Sequence, residues 1–349
     1  MKLNLIISIL FISVICTSCH VSERYEGAST FSFKDFKTTK NLNASTIEFD
    51  EPIMLPWLFV KSDSLLIVQN LRTNNILYVY NINTRKKVGE FISWGNGPND
   101  LLNIKNMQLV DSCLYISDNQ KRAIYKYDIN DFHKLTDNLI PQEKIVINDF
   151  FLNLVYTDSG YVATVMNTTD KRLVFFNSEG EKKFTTGEYP NYGKELTPIE
   201  KVEGFRSLFA ISHKYKRIYL FGLSTDLIEI YDFQGVLIKK IHGPDQVFPK
   251  VKEVRKGDGY GISGVESTFT FSSPLIIDDE IYVAYSGHQQ DRNEHHPPRY
   301  NILVFDMDCN PLRNYKLSIP IASFTVDPET KKIYATSAVP EYHMVIFEE

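Results

Sequence analysis

Cysteine is scarce in this chain: four residues, at positions 16, 19, 113 and 309, are all that 349 residues contain. A scaffold built on disulfides needs more, and Cys113 and Cys309 sit far apart, so both read as small buried residues. No block of Lys and Arg stands out. With 38 basic residues against 43 acidic ones the net charge is -5, so the footprint of a nucleic-acid binder is missing. The apolar run from Leu3 to about Cys16 is too short and too close to the start for a transmembrane helix. Signatures of hydrolysis are absent too. There is no HExxH, Gly261-Ile262-Ser263-Gly264 misses GxSxG by one position, and no local Ser/His or Cys/His arrangement supports nucleophilic chemistry.

What is present is apolar and aromatic. Forty-three per cent of residues are apolar, and 23 Phe with 20 Tyr favour a large, strand-rich core over disorder. Residues 1–19 have a lysine at position 2, the apolar run, and then Thr17 and Ser18 before Cys19, which is the layout of a secretory signal. The stretch Cys16-Thr17-Ser18-Cys19 resembles a bacterial lipobox, although Cys16 stands where Leu is usual. That resemblance implies acylation of Cys19 and a stable anchor in the cell envelope. Residues 20–44 then read as a tether and N-terminal segment, polar and without strand periodicity as far as about Thr30.

Beyond residue 45 the sequence repeats itself. ILYVYNINTRKKV (76–88), AIYKYDINDFHKL (123–135), LVFFNSEGEKKF (173–184), LIEIYDFQGVLIKKI (227–241) and ILVFDMDCNPLRNYKL (302–317) share one form. Each is an apolar alternation ending in an aromatic, then Asn or Asp, a turn, and a new strand. Asn81, Asp128, Asn177, Asp232 and Asp306 can bond their own backbone and open that turn. Upstream of each hairpin lies another short strand, such as SLLIVQN or CLYISDN, and before that one more. Four strands per unit is the content of a propeller blade, and six units fit residues 45–349. The last copy, MVIFEE, lacks its fourth strand, while STIEFDEPIML (45–55) is an orphan. Pairing the two predicts an all-β six-bladed propeller closed by its own N-terminal strand.

Glycine-rich stretches then need a role. SWGNGPND (93–100) falls between the fourth strand of one repeat and the first of the next, and GEYPNYG (187–193) and HGPDQVFP (242–249) hold comparable places. These read as turns between blades, because a phosphate loop needs a following helix and none is signalled after Pro98. GDGYGISG (257–264) formally matches GxGxxG but lacks the flanking strand and helix, and reads as a flexible junction. Asp306, Asp308 and Asn310 open like a calcium loop, yet Pro311 replaces the required Gly. HQQDRNEHHPPRY, with His288, Asp291, His295 and His296, is an insertion in repeat five whose spacing matches no fixed metal motif. Whether loop 288–296 binds metal stays open at this stage.

With Cys19, the GNGPND junction and the six units in view, the chain resembles the TolB-like six-bladed propeller lipoproteins, relatives of the NHL-repeat propellers. In that family the junction is usually closer to GxGPGE, whereas Asn99 and Asp100 stand here. The resemblance implies an outer-membrane lipoprotein that holds a glycan, a peptide or an envelope protein without catalysis or cofactor. The alternative it carries is a propeller hydrolase or lyase with calcium in the central channel. Candidate ligand-facing residues are Trp94, for stacking, Asn96, Asn99 and Asp100, for hydrogen bonds, Arg206, for a carboxylate, and Tyr260 and His288, on the rim.

Overall fold

The computed structural model describes residues 24–349, apart from 52, 54, 72, 135–138, 167–169, 257–258, 264–266 and 290–296. Residues 1–23, with Cys19 and the signal-like run, lie outside the described residues, as do Asp291, His295 and His296. Three short strands come first: β1 (Ala28–Thr30), β2 (Thr38–Leu42) and β3 (Ala44–Ile47). Blade one is β4 (Pro56–Ser62), β5 (Leu65–Asn70), β6 (Asn75–Asn81) and β7 (Lys86–Ser93). Blade two is β8 (Ile104–Val110), β9 (Cys113–Asp118), β10 (Ala123–Asp128) and β11 (Glu143–Val146). Blade three is β12 (Phe151–Thr157), β13 (Gly160–Val165), β14 (Lys171–Phe176) and β15 (Lys182–Glu188). A helix, α1 (Pro198–Gly204), precedes blade four, which is β16 (Ser207–Ser212), β17 (Arg217–Gly222), β18 (Leu227–Asp232) and β19 (Leu237–His242). A separate hairpin, β20 (Lys252–Lys256) and β21 (Gly259–Ser263), leads to blade five: β22 (Phe271–Ile277), β23 (Glu280–Tyr285), β24 (Arg299–Asp306) and β25 (Pro311–Ile321). Blade six is β26 (Ser323–Val326), β27 (Ile333–Ser337) and β28 (His343–Phe347).

Each blade is an antiparallel meander whose first strand faces the axis. The six innermost strands touch in order, β4 to β8, β12, β16, β22, β26 and back to β4, so the ring is closed. Closure comes where the sequence predicted it. β3 pairs antiparallel with β28, with Met344 opposite Ile47 and Phe347 opposite Ala44, and supplies the missing fourth strand of blade six.

The repeat pattern follows from how blades stack. Middle strands have a neighbouring blade against both faces, so their side chains are buried on both, as in β5 and β13, where every residue is buried. Such strands read as unbroken apolar runs. Between blades three and four, Val155, Val162, Leu173 and Phe175 pack on Phe209, Ile218, Leu220 and Tyr231. Outer strands such as β15 face water and are mostly polar. The turn residues act as expected: Asp232 Oδ1 accepts from the amides of Gln234 (2.9 Å) and Val236 (2.8 Å), and Asp306 Oδ1 from those of Asp308 (2.9 Å) and Asn310 (2.8 Å). The calcium-like stretch is thus a hairpin turn.

Three expectations are corrected. In repeat two Asp128 does not open a tight hairpin. It caps a 3-10 turn, Ile129–His133, that folds Phe132 into the core against Phe91 (5.4 Å between ring centroids), and the fourth strand starts only at Glu143. GDGYGISG is no flexible junction, since residues 259–263 form β21, paired to β20. The largest correction concerns the tether. From residue 24 onward the N-terminal segment is a strap laid along the outside of three blades. β1 adds to β19 in parallel, β2 adds to β25 in parallel, and β3 follows on β28. Tyr25, Phe31, Phe36, Leu42 and Ile47 are its buried anchors, one every five or six residues. Of these short strands β2 and β3 bury one side chain each and β1 none, so no alternation betrays them.

A buried ion pair spans the closure. Lys61 Nζ, on blade one, lies 2.8 Å from Asp327 Oδ2, on blade six, with side chains 6 and 10 per cent exposed. Burial alone would raise the Asp327 carboxyl, but hydrogen bonds from Lys61 and from the amides of Thr330 and Glu329, with the lysine's charge, outweigh it and hold it below its usual value. A depressed carboxyl contributes stability that is complete above the unfolded-state value, near 4, and that fades as pH falls through the folded one. Urea unfolding followed from pH 6 to pH 3 should therefore show the wild-type midpoint falling below about pH 4, with a shallower fall in Asp327→Asn. Equal slopes would show that the pair contributes nothing to closure.

Candidate ligand face at the mouth of the channel

Antiparallel strands alternate direction, so the connections fall into two sets. Links from one blade's fourth strand to the next blade's first, and from second to third strands, emerge on one side of the ring, here called the upper face. Trp94, Asn96, Asn99 and Asp100, Arg206 and His288 all belong to these links, and Tyr260 lies on the β20–β21 hairpin inserted in one of them. The structure thus brings the candidates to one face.

Their environments differ. In the first junction Gly97 N donates to Asp100 Oδ2 (2.9 Å), Gly95 N donates to the Leu101 carbonyl (3.1 Å), and Lys121 Nζ donates to the Gly97 carbonyl (3.1 Å). A Cβ at Gly95 or Gly97 would come within 2.5 or 2.6 Å of Asp100 Oδ2. The two glycines are there so that the Asp100 carboxylate can fold over its own loop. Asp100 is therefore a loop-closing residue, committed inward, which corrects its placement among ligand-facing residues. Asn96 is exposed and Asn99 half-buried. Trp94 packs one side on the core between blades one and two and borders a shallow notch with Leu71, Thr73 and Asn74. His288 is exposed, its carbonyl accepting from Phe269 N (2.8 Å), and β21 carries Tyr260. Among the described residues no three His, Cys, Asp or Glu side chains gather as a metal site.

The junction loops hang on side chains that the sequence reading passed over. Asp118, fully buried at the end of β9, accepts from the amides of Leu102 (2.6 Å), Asn103 (3.0 Å), Gln120 (2.9 Å) and Lys121 (2.9 Å). Asn70 holds the same position in β5 and accepts from Leu55 N (3.0 Å). Asp226 opens β18, accepts from Asp245 N (2.7 Å) and Val247 N (2.6 Å), and lies 2.9 Å from His242 Nε2. The signal was visible as Asn70 in SLLIVQN and Asp118 in CLYISDN, at matching repeat positions.

Lys105 is a further residue that the sequence reading passed over. It is second in β8, half-buried, and has no hydrogen-bond or ion-pair partner among the described residues, because the nearby Asp118 carboxylate is filled by four amides. Burial, with the repulsion of Arg206, lowers its ammonium below the usual lysine range, and Asp118 offsets this only in part. Arg206 stands immediately before β16, exposed, with Glu203 3.4 Å away as its acidic neighbour. Blades two and four are not adjacent. Lys105 lies on the innermost strand of blade two and Arg206 immediately precedes that of blade four, so the two cations belong to separate walls of the channel near its upper end.

Walls and floor complete the funnel. Thr197 and Glu200 form a capping box on α1, and Glu200 Oε1 also accepts from Glu253 N (2.9 Å), tying the β20–β21 hairpin to the helix beside Arg206. Below, Gln108 on blade two donates to the Tyr156 carbonyl (3.1 Å) on blade three and lies 3.3 Å from His213 Nε2 on blade four, bridging the lower end. Exposed apolar side chains line the upper rim: Trp57, Phe150, Met166 and Val339.

The comparisons agree with this architecture. No curated protein matches the chain. A protein of the DUF4221 family from Bacteroides vulgatus is similar in structure, with a TM-score of 0.54 over 88% of this chain and 95% of its own, at 11% identity. A protein from Bacteroides fragilis described as exported gives 0.51 over 92% and 98%, also at 11% identity. Likeness at that level is of fold alone. The family model described as TolB-like 6-blade propeller-like matches residues 32–329, and with six blades, a closed ring and a funnel now described, the chain belongs to the TolB-like six-bladed propeller family.

Proposed function

We propose that this propeller is a non-catalytic binding module of the bacterial cell envelope, anchored through a lipid on Cys19, whose upper funnel takes an anionic glycan or peptide. The feature that carries the ligand reading is the Lys105–Arg206 pair: two cations on separate walls of the channel's upper end, the first half-buried and without a partner among the described residues. A protein stabilises such a pair when a carboxylate or sulfate arrives between them. Trp57, Phe150 and Met166 on the rim, with Trp94 at its notch, supply apolar and ring surfaces for the rest of the ligand. The anchor reading is supported by the lipobox-like Cys16-Thr17-Ser18-Cys19.

Arrays of acidic and neutral oligosaccharides, and of acidic peptides, test the reading directly. Acidic members should bind, more weakly as salt rises, and Lys105→Met with Arg206→Ala should weaken them tenfold or more, since each charged hydrogen bond is worth about 1.5–3 kcal/mol. Binding that ignores both salt and the double substitution would move the site elsewhere.

A further inference from the structure

The strap fixes how the ring sits on a membrane. The first docked side chain is Tyr25, 1 per cent exposed, and it is seated on the upper rim at blade four, between the junctions on either side of that blade. Its ring packs on His242 (4.6 Å), Phe248 (4.9 Å), Tyr192 (5.5 Å) and Phe205 (6.0 Å), while Glu26 N donates to the Asn191 carbonyl (3.0 Å). All of these except Glu26 lie in or beside the junctions that flank blade four. From Cys19 to Tyr25 the chain has only six peptide links, and even fully extended they reach about 20 Å. That is about the span of one six-residue blade strand such as β19, too short to carry an anchor from the upper rim past the strand's far end and beneath the ring.

We infer that, given a lipid on Cys19, the upper rim of blades three and four is a membrane-apposed surface, with α1 and the β20–β21 hairpin toward the bilayer and the lower face turned away. This rests on the anchor reading above and goes beyond it, because a lipid on a long tether would set no orientation. Charge agrees with the geometry: Arg24, Lys194, Lys250 and Lys252 stand exposed around this corner, beside Glu26 and Glu195, and suit anionic headgroups. The partner surface is therefore a lipid surface. The funnel opens on the same side.

The full-length lipoprotein, reconstituted in vesicles of phosphatidylethanolamine and phosphatidylglycerol with an acceptor dye on the headgroups, tests this by energy transfer. Donors go on single cysteines at Lys252→Cys, in β20, and Lys214→Cys, on the lower face, in a Cys113→Ser background, Cys309 being buried. Transfer should be at least twofold stronger from position 252 than from 214. Inserting twenty Gly/Ser residues between Ser22 and Glu23 should erase the difference. Equal transfer from both positions, or stronger transfer from 214, overturns the orientation. Retention on vesicles and incorporation of labelled palmitate are read on the same samples. A protein that takes no label and washes off overturns the anchor and the orientation with it, whereas one that is labelled and retained yet shows equal transfer overturns the orientation alone.

Discussion

An Arg172→Met protein is expected to lose about 3–5 kcal/mol of stability, read as a fall in the urea midpoint, because it strands the Glu229 carboxylate inside the ring. Arg172 on β14 and Glu229 on β18 join blades three and four by an ion pair with side chains 3 and 2 per cent exposed. The guanidinium also donates from Nη2 to the Phe205 carbonyl and to Ser207 Oγ, both at 2.8 Å, and its centre lies 5.6 Å from the Phe205 ring and 5.8 Å from that of Tyr189. Tyr231 donates its hydroxyl to Glu229 Oε1 at 3.2 Å. Burial pulls the Arg172 guanidinium below its ordinary range. The cost of desolvating both charges is already met in the native fold, so deleting one leaves the other uncompensated. Adding Glu229→Leu should restore most of the loss, because a well-packed apolar pair often matches a buried ion pair. A single variant within 1 kcal/mol of wild type, or a double variant no better than the single, would remove this account.

Phe31→Ala should cost about as much, roughly 3–5 kcal/mol, because it deletes the second of the strap's five anchors. Phe31 is 5 per cent exposed, its ring 5.4 Å from Phe305 and 6.0 Å from Phe36, and its amide donates to the His242 carbonyl at 3.1 Å. Gly243→Ala should act in the same direction by another route. Gly243 has φ +151°, and an added Cβ would meet the Phe31 carbonyl oxygen at 2.0 Å, so the strap must lift. Urea unfolding reads both variants. If Phe31→Ala keeps the wild-type midpoint, the strap is an ornament on a ring that stands without it.

Much of this was legible because burial on both faces writes itself into sequence. SLLIVQN and RIYLFGL announce middle strands, and Asn81, Asp232 and Asp306 announce the turns their side chains close. The strap escaped because β1 and β2 each touch a single outer edge and bury side chains too far apart for any period. α1 and the β20–β21 hairpin escaped because they interrupt the repeat that was used to read everything else. Lys105 was hidden differently. A lone lysine in a strand looks like a solvated surface residue until the topology places Arg206 opposite it. His288 was read in an insertion between strands, where it stands, whereas Tyr260, read in a flexible junction, lies on β21, and Asp100, in the most conspicuous motif of the chain, faces its own glycines.

The β3–β28 pairing bears on how the molecule comes into being. β3 ends at Ile47, and its partner β28 begins at His343, about 300 residues later on the ribosome. Earlier blades can collapse as they emerge, but the circle stays unlatched until β28 has been made. Contacts so distant along the polymer make the final step slow and keep it late. A ring latched in this way can shut only once all six blades are available to it, so no fragment that stops short of β28 can hold the circle closed.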